Sequence, residues 1–381
     1  GSVTIPMMKK TGYPPEFAGA VEAASSTGGQ IMPPIMGAAA FIMAEMTGYE
    51  YSDIIVRAIL PAFLYFLGIF LGVHFKAKKL GLVGLKREEL PKWKLLLPKI
   101  YLLLPLIILT WMVIAGQTMA KSAIYGTIVA IVVGIINKDD RMTPSKFVNG
   151  LENGGKNCLS IGIACGIAGI ISVCITMTGL GGKLITYVVK LSNGHLFIAL
   201  FLTMICCIIL GMGVPTTANY IIMASLTAPI LVQLASGIVV HGVALAVPLI
   251  AAHLYCFYFG ILADDTPPVG LAAYAAAAIA DTSPIATGIQ GFLYDIRTAI
   301  LPLMFIFNHD IILWGIDSVP EGIFLFFMTV LGCMSFASLT QGWFIAKNTL
   351  PDALLLACST IIMLYPALLT GFFLPHDQRY W

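Results

Sequence analysis

The stretch "HLYCFYFGILADDTPPVGLAAYAAAAIA", residues 253–280, decides how this chain must be read. Its two flanks are apolar and together long enough to lie in a bilayer. Its centre, however, reads Gly260-Ile-Leu-Ala-Asp264-Asp265-Thr266-Pro267-Pro268. Proline removes a backbone donor and clashes with the preceding turn, so two in a row interrupt a helix. A carboxylate within a membrane segment is costly, and by default it marks a functional site. An unwound backbone at membrane depth is tolerated only where it faces protein or a water-filled cavity. The interruption therefore calls for a polytopic protein that encloses it.

The rest of the chain agrees. Of 381 residues, 59% are hydrophobic and only 10% charged, with a mean hydropathy of +0.92. Soluble domains are nearer 45–50% apolar and about 25% charged. A net charge of +2 with no basic stripe argues against nucleic-acid binding. The eight cysteines fall mostly inside apolar runs without metal-ligand spacing and read as small packing residues. Spans of about 20 apolar residues are expected at 54–75, 100–115, 120–136, 157–178, 196–212, 240–262, 321–345 and 352–374. Less regular apolar pieces lie at 15–46, 214–236, 267–280 and 296–314. The loop 76–94 carries seven Lys or Arg and 137–146 carries three. Two spans separate these loops, which places both on one side of the membrane, the cytoplasm by the positive-inside rule.

A second interruption lies near the start. "PEFAGAVEAASSTGGQIMPPIMGAAAFIMAEM" (15–46) reads as a half-helix, a break at "STGGQIMPP", and a second Ala-rich half. Its "PPIMGAAAF" (33–41) matches "PPVGLAAYA" (267–275), and upstream "SVTIPMM" (2–8) matches "SLTAPIL" (225–231). Two matches in the same order, both on helix breakers, indicate an internal repeat with an insertion in the second copy. Paired interrupted segments in corresponding halves point to the binding site of a secondary transporter. The second copy also holds "GMGVPTTANYIIMASLTAPILVQLASG" (211–237), a helix entering, a polar turn over Gly213–Asn219 and a helix leaving: a re-entrant hairpin. The first copy has no full equivalent, and "GSVTIPMMKKTGYPPEF" lacks the pattern of a signal peptide. The expectation is a chain that starts inside its first hairpin.

These residues carry a family resemblance. "EAASSTGGQIMPPIMGAAAFIMAEMTGY", "GMGVPTTANYI" and the stretch quoted at the outset resemble the large membrane subunit of tripartite ATP-independent periplasmic (TRAP) transporters. They are most similar to the fused type that works with TAXI-class binding proteins. The resemblance runs over roughly residues 1–310. It implies an all-α polytopic permease of two inverted repeats, each with a re-entrant hairpin and a broken helix, moving as an elevator against a scaffold. It further implies a periplasmic TAXI-type substrate-binding protein that delivers an organic anion, usually a carboxylate. Na⁺, or H⁺, serves as coupling ion, with no other cofactor. The small four-helix membrane portion, fused upstream, would be the second partner, and a bacterial or archaeal inner membrane the location. The expected organisation is 1–46, the end of the first hairpin and the first broken helix; 47–155, transmembrane helices with a basic cytoplasmic loop at 76–99; 156–310, the second repeat with hairpin 211–237 and broken helix 253–280; and 311–381, C-terminal transmembrane helices.

The candidate site residues follow from the breaks. Half-helix C-termini and unwound carbonyls suit a cation, and half-helix N-termini suit an anion. In the second break these are Gly260, Asp264, Asp265 and Thr266; in the first, Ser26, Thr27, Gly28 and Gly29; at the hairpin tip, Gly213, Thr216, Thr217 and Asn219. A Na⁺ ion is expected at Thr27, Gly29, Asp264 and Thr266. The competing reading makes one acid a cap on the following half-helix, accepting from its free N–H groups. The hydroxyls of Ser2, Thr4, Ser225 and Thr227 suit close helix packing as well as binding. Arg57 and Arg297 suit either a substrate carboxylate or an interfacial position. His253 suits a hydrogen-bonded histidine. An aspartyl protease would need two acids on separate helices, and neither a Gly-x-Gly-Asp nor a His-Glu-x-x-His motif is present. An ion or solute channel, which also uses half-helices, is the alternative to a permease.

Overall fold

A computed structural model of the chain describes all residues except 35, 85–93, 95–96, 116, 139–140, 179–182, 184–186, 188–189, 194, 212–215, 237–238, 241–242, 245–246, 268–269, 296–298, 317 and 366–381. It forms two compact units, one of residues 1–83 and 168–381, the other of 84–167. The described residues are overwhelmingly helical, and the chain is an all-α polytopic membrane protein.

The first copy of the repeat holds α1 (Thr4–Thr11), α2 (Pro15–Gly28) and α3 (Ala38–Thr47), followed by the long α4 (Tyr51–Leu80). In the smaller unit, a 3₁₀ turn (Leu97–Leu103) leads into α5 (Leu104–Ile114), which packs on α6 (Met119–Ile136). Next come α7 (Pro144–Thr178), α8 (Leu196–Gly211) and α9 (Thr216–Ser236). A two-residue antiparallel pair, Val239–Val240 with Val243–Ala244, precedes α10 (Leu249–Leu262). A 3₁₀ turn (Ala263–Asp265), α11 (Leu271–Ala280), α12 (Pro284–Asp295) and α13 (Ile300–Phe307) follow. A last 3₁₀ turn (His309–Ile312) leads to α14 (Val319–Gln341) and α15 (Leu350–Leu364). Among these, α4, α9 and α14 are each long and apolar enough to cross a membrane.

Both interrupted segments are broken helices of equal proportions. The first has 14 residues in α2 and 10 in α3; the second has 14 in α10 and 10 in α11. Each pair gives about 36 Å of helix, enough for one crossing although neither half suffices. The shift that places Pro33 on Pro267 carries residues 15–28 onto 249–262, the bounds of α10. Proline opens α2 at its first position, where the missing N–H costs nothing. Left-handed glycines close the long outer elements, Gly48 after α3 and Gly81 after α4.

The insertion in the second copy is the Val-rich hairpin. The expected span 240–262 therefore becomes a helix only from Leu249, because the β-branched run before it favours strand and Pro248 is extended. The expected span 157–178 begins earlier, at Pro144, again a helix-opening proline.

The copies pack through each other. α2 lies against α11, and α3 against both α9 and α10, so each copy's second half-helix meets the other copy's first. Ile5, Ala18, Ala23, Ala276 and Ala280 form one core of small residues joining α1, α2 and α11. Small side chains at such contacts let helix backbones approach closely in a membrane protein. α10 is apolar all round and is buried from Ile250 to Leu262. α4 packs on α2, α3 and α12, and also on α14.

Candidate functional site

The two breaks meet. Asp265 is fully buried, and its Oδ2 accepts from the Thr27 hydroxyl at 2.9 Å, a contact between the second copy and the last turn of α2. Asp264 Oδ2 accepts from Thr216 Oγ1 at 2.7 Å, at the first residue of α9, with the Gln30 side chain of the first break beside it. The adjacent acids thus bring three elements together: the end of α2, the first break and the start of α9. Under the shift that aligns the copies, Gln30 is the equivalent of Asp264.

Asp265 has a second neighbour. The carboxyl of Asp295, buried at the end of α12, interacts with it side chain to side chain. Among the described residues no N–H or hydroxyl donor reaches Asp265 Oδ1. Tyr65 of α4 closes this corner; its hydroxyl donates to Ala24 O at 2.9 Å, and it interacts with Thr27 and both acids. Beside it lies a void of about 10 Å³, the size of one water, lined by Ile31, Tyr65, Tyr258 and Leu262. The Tyr258 hydroxyl has no protein partner there.

Glycine at 28 and 270 is a matter of space. A Cβ on Gly28 would stand 2.4 Å from Tyr65 Cε1 and 3.1 Å from Phe66 Cζ. A Cβ on Gly270 would stand 2.9 Å from the Asp265 carbonyl carbon and 3.1 Å from Asp264 O and Thr266 N. The first permits a tyrosine ring against α2, and the second lets the start of α11 fold back over the acid-bearing turn.

Thr27, Asp264, Asp265 and Thr216 come together as one cluster. Thr27 is within reach of Ala23 O, Ala24 O and Asp265 Oδ2, so its single proton cannot serve all three. Thr266 spends its hydroxyl on Leu262 O at 2.7 Å, closing α10. Gly260 faces Asn219, whose Nδ2 donates to Cys207 O at 3.2 Å while its Oδ1 is buried without a partner among the described residues. Asn219 therefore ties α9 to α8 from within the first turn of α9 rather than from a turn. Thr217 is half-buried on that same turn. Ser26 and Gly29 are exposed, and Ser26 contacts Glu22. Gly213 and Arg297 lie outside the described residues. Of the four residues expected to share a Na⁺ ion, Thr27 is bonded to Asp265, Asp264 to Thr216, Thr266 to its own helix, and Gly29 is exposed.

Ser225 and Thr227 bond backward to the Ile221 and Met223 carbonyls, whereas Thr4 bonds the Glu22 carboxylate. His253 Nδ1 is 2.7 Å from the Tyr220 hydroxyl. Three partners were not anticipated. Asp295 carries only the signal of an acid at the end of an apolar run. Gln30 stands within the first break, and Tyr65 has no local signal.

Buried acids gripping two broken helices inside a polytopic helical chain define a membrane permease. The chain belongs to the DctM family: residues 1–321 match the model described as "Tripartite ATP-independent periplasmic transporter, DctM component". Residues 322–380 match a domain of unknown function, DUF3394. A search of curated proteins found no match. The family is one of transporters rather than enzymes, and it implies a periplasmic binding protein and a small membrane subunit as partners.

Proposed function

We propose that this chain is the permease of a secondary active importer, taking an organic anion, a carboxylate in the first instance, from a periplasmic binding protein of the TAXI class. The driving force is an ion gradient across the inner membrane, and the small membrane subunit completes the assembly. The two copies act as inverted repeats of a mobile transport unit. The observation that carries this reading is the clasp between copies from Thr27 to Asp265, beside the Thr216–Asp264 bond. An ion that enters or leaves at either acid competes with those hydrogen bonds, so ion occupancy and the packing of the two broken helices are coupled.

H⁺ is the coupling ion that the Asp265–Asp295 contact favours. A proton shared by these neighbouring buried acids would relieve their like charge and give a partner to Asp265 Oδ1, which has no donor among the described residues, whereas the hydroxyls expected around Na⁺ are spread over separate partners. The test is uptake of a labelled carboxylate by full-length protein and its binding protein in liposomes, with Na⁺ and proton gradients imposed separately. Uptake under the proton gradient alone supports this reading; uptake under Na⁺ alone reassigns the acids to a Na⁺ site; ohmic current without saturable uptake replaces the importer by a channel.

A further inference from the structure

α4 is 30 residues long, about 45 Å of helix, which matches a bilayer including its headgroups at about 40–45 Å. Arg57 lies six residues from its start, about 9 Å along the axis. That depth is the boundary between headgroups and hydrocarbon, given a hydrocarbon core of about 30 Å. Its guanidinium donates to Leu313 O at 2.8 Å and lies 4.3 Å from the centre of the Trp314 ring. Trp314 in turn stacks edge-on with Tyr49. Tryptophan and tyrosine at one level are the anchors of a membrane interface. Arg57 Nε is buried without an acceptor, and among the described residues no carboxylate pairs with this cation.

Next to it runs an apolar groove between α4 and α14, with a volume of about 920 Å³. Ile59 and Phe63 form one wall, Gly322, Ile323 and Phe327 the other, and Leu313, the acceptor for Arg57, lines it as well. Most of these side chains are exposed. The second wall belongs to the domain of unknown function, which is held along α4 by Phe63 against Phe326, Phe75 against Phe344, and Lys79 on Gln341 O.

We infer that this groove is a binding site for an anionic phospholipid, with an acyl chain between α4 and α14 and the headgroup phosphate on Arg57. The volume falls within the range of about 300–1,000 Å³ typical of ligand sites. A phospholipid supplies an anion and a hydrocarbon chain at the depths where the cation and the groove lie. A partner helix would fill the groove, but it would bring an anion to the guanidinium only by burying a carboxylate in the membrane. The domain of unknown function thereby gains a role: it completes a lipid site that the DctM portion alone only half builds.

The experiment is native mass spectrometry of the full-length protein from micelles containing equimolar phosphatidylglycerol and phosphatidylcholine. Wild type should retain phosphatidylglycerol preferentially. Arg57→Gln should lower that preference about five-fold, the scale of one basic side chain at an anionic surface, and Arg57→Lys should recover most of it. Gly322→Phe, which leaves Arg57 untouched, should reduce retention of both lipids. An unchanged preference in Arg57→Gln overturns the headgroup assignment. Undiminished lipid in Gly322→Phe overturns the groove. Protection of Ile323→Cys from maleimide in delipidated full-length protein would show a protein segment there instead, and would also overturn it.

Discussion

Replacing Thr27 by valine keeps the shape of the side chain and removes the donor to Asp265. The acceptor is fully buried, and the bond is 2.9 Å. A hydrogen bond to a charged group contributes about 1.5–3 kcal/mol, and one between neutral groups about 0.5–1.5 kcal/mol. Thr27→Val also loses weaker back-bonding to Ala23 and Ala24 carbonyls, so the single variant overstates the contact. A double-mutant cycle with Asp265→Ala isolates the pairwise contact, less what the freed Thr27 proton regains by back-bonding to Ala23 or Ala24. The expected coupling energy is about 0.5–1.5 kcal/mol if Asp265 shares a proton with Asp295 and about 1.5–3 kcal/mol if it is ionised. Denaturant unfolding of the purified protein in mixed micelles, followed by circular dichroism, gives the four stabilities. Additivity within about 0.3 kcal/mol would refute the claim that this contact ties the copies together.

Three further outcomes follow from the same packing. Gly28→Ala places a methyl on the Tyr65 ring and should destabilise by about 1–3 kcal/mol, whereas Gly29→Ala, at an exposed position, should change stability by less than about 0.5 kcal/mol; thermal unfolding of the pair decides it. Gly270→Ala collides with backbone rather than a movable side chain, so it should unfold at lower denaturant than Gly28→Ala, and an equal midpoint would remove the proposed fold-back. Thr349→Ala breaks the capping box with Asp352 at the start of α15 and should cost about 1 kcal/mol. Hydrogen exchange should rise over residues 350–364 while uptake is unchanged; a loss of uptake would give this hairpin a direct part in transport.

How much of this was legible in the sequence differs by feature. The broken helices were plain, because consecutive prolines inside apolar segments admit few readings, and the Pro-Pro alignment turned out to carry α2 onto α10 residue for residue. The helix start at Leu249 was not, since apolar β-branched residues satisfy a hydropathy scan and a strand equally well. Asp264 and Asp265 were singled out together, yet adjacency hid their division of labour: successive side chains point apart, one to Thr216 and Gln30, the other to Thr27 and Asp295. Gly28 drew notice as a source of carbonyls, and its need for space beside Tyr65 is set by α4, more than 30 residues away in the chain. Contacts between copies have no local pattern, so the partners of the acids became visible only once the copies were packed.

Asp264 and Asp265 are proposed to join the two broken helices where the coupling ion acts. The most direct measurement is gradient-driven uptake by full-length protein with its binding protein in liposomes, comparing wild type with Asp264→Asn and Asp265→Asn. Asparagine keeps the size of each side chain and removes its ability to ionise. The account predicts that Asp265→Asn folds, binds in the membrane as wild type does, and loses the dependence of uptake on the ion gradient. Full uptake with unchanged ion dependence in both variants would contradict it.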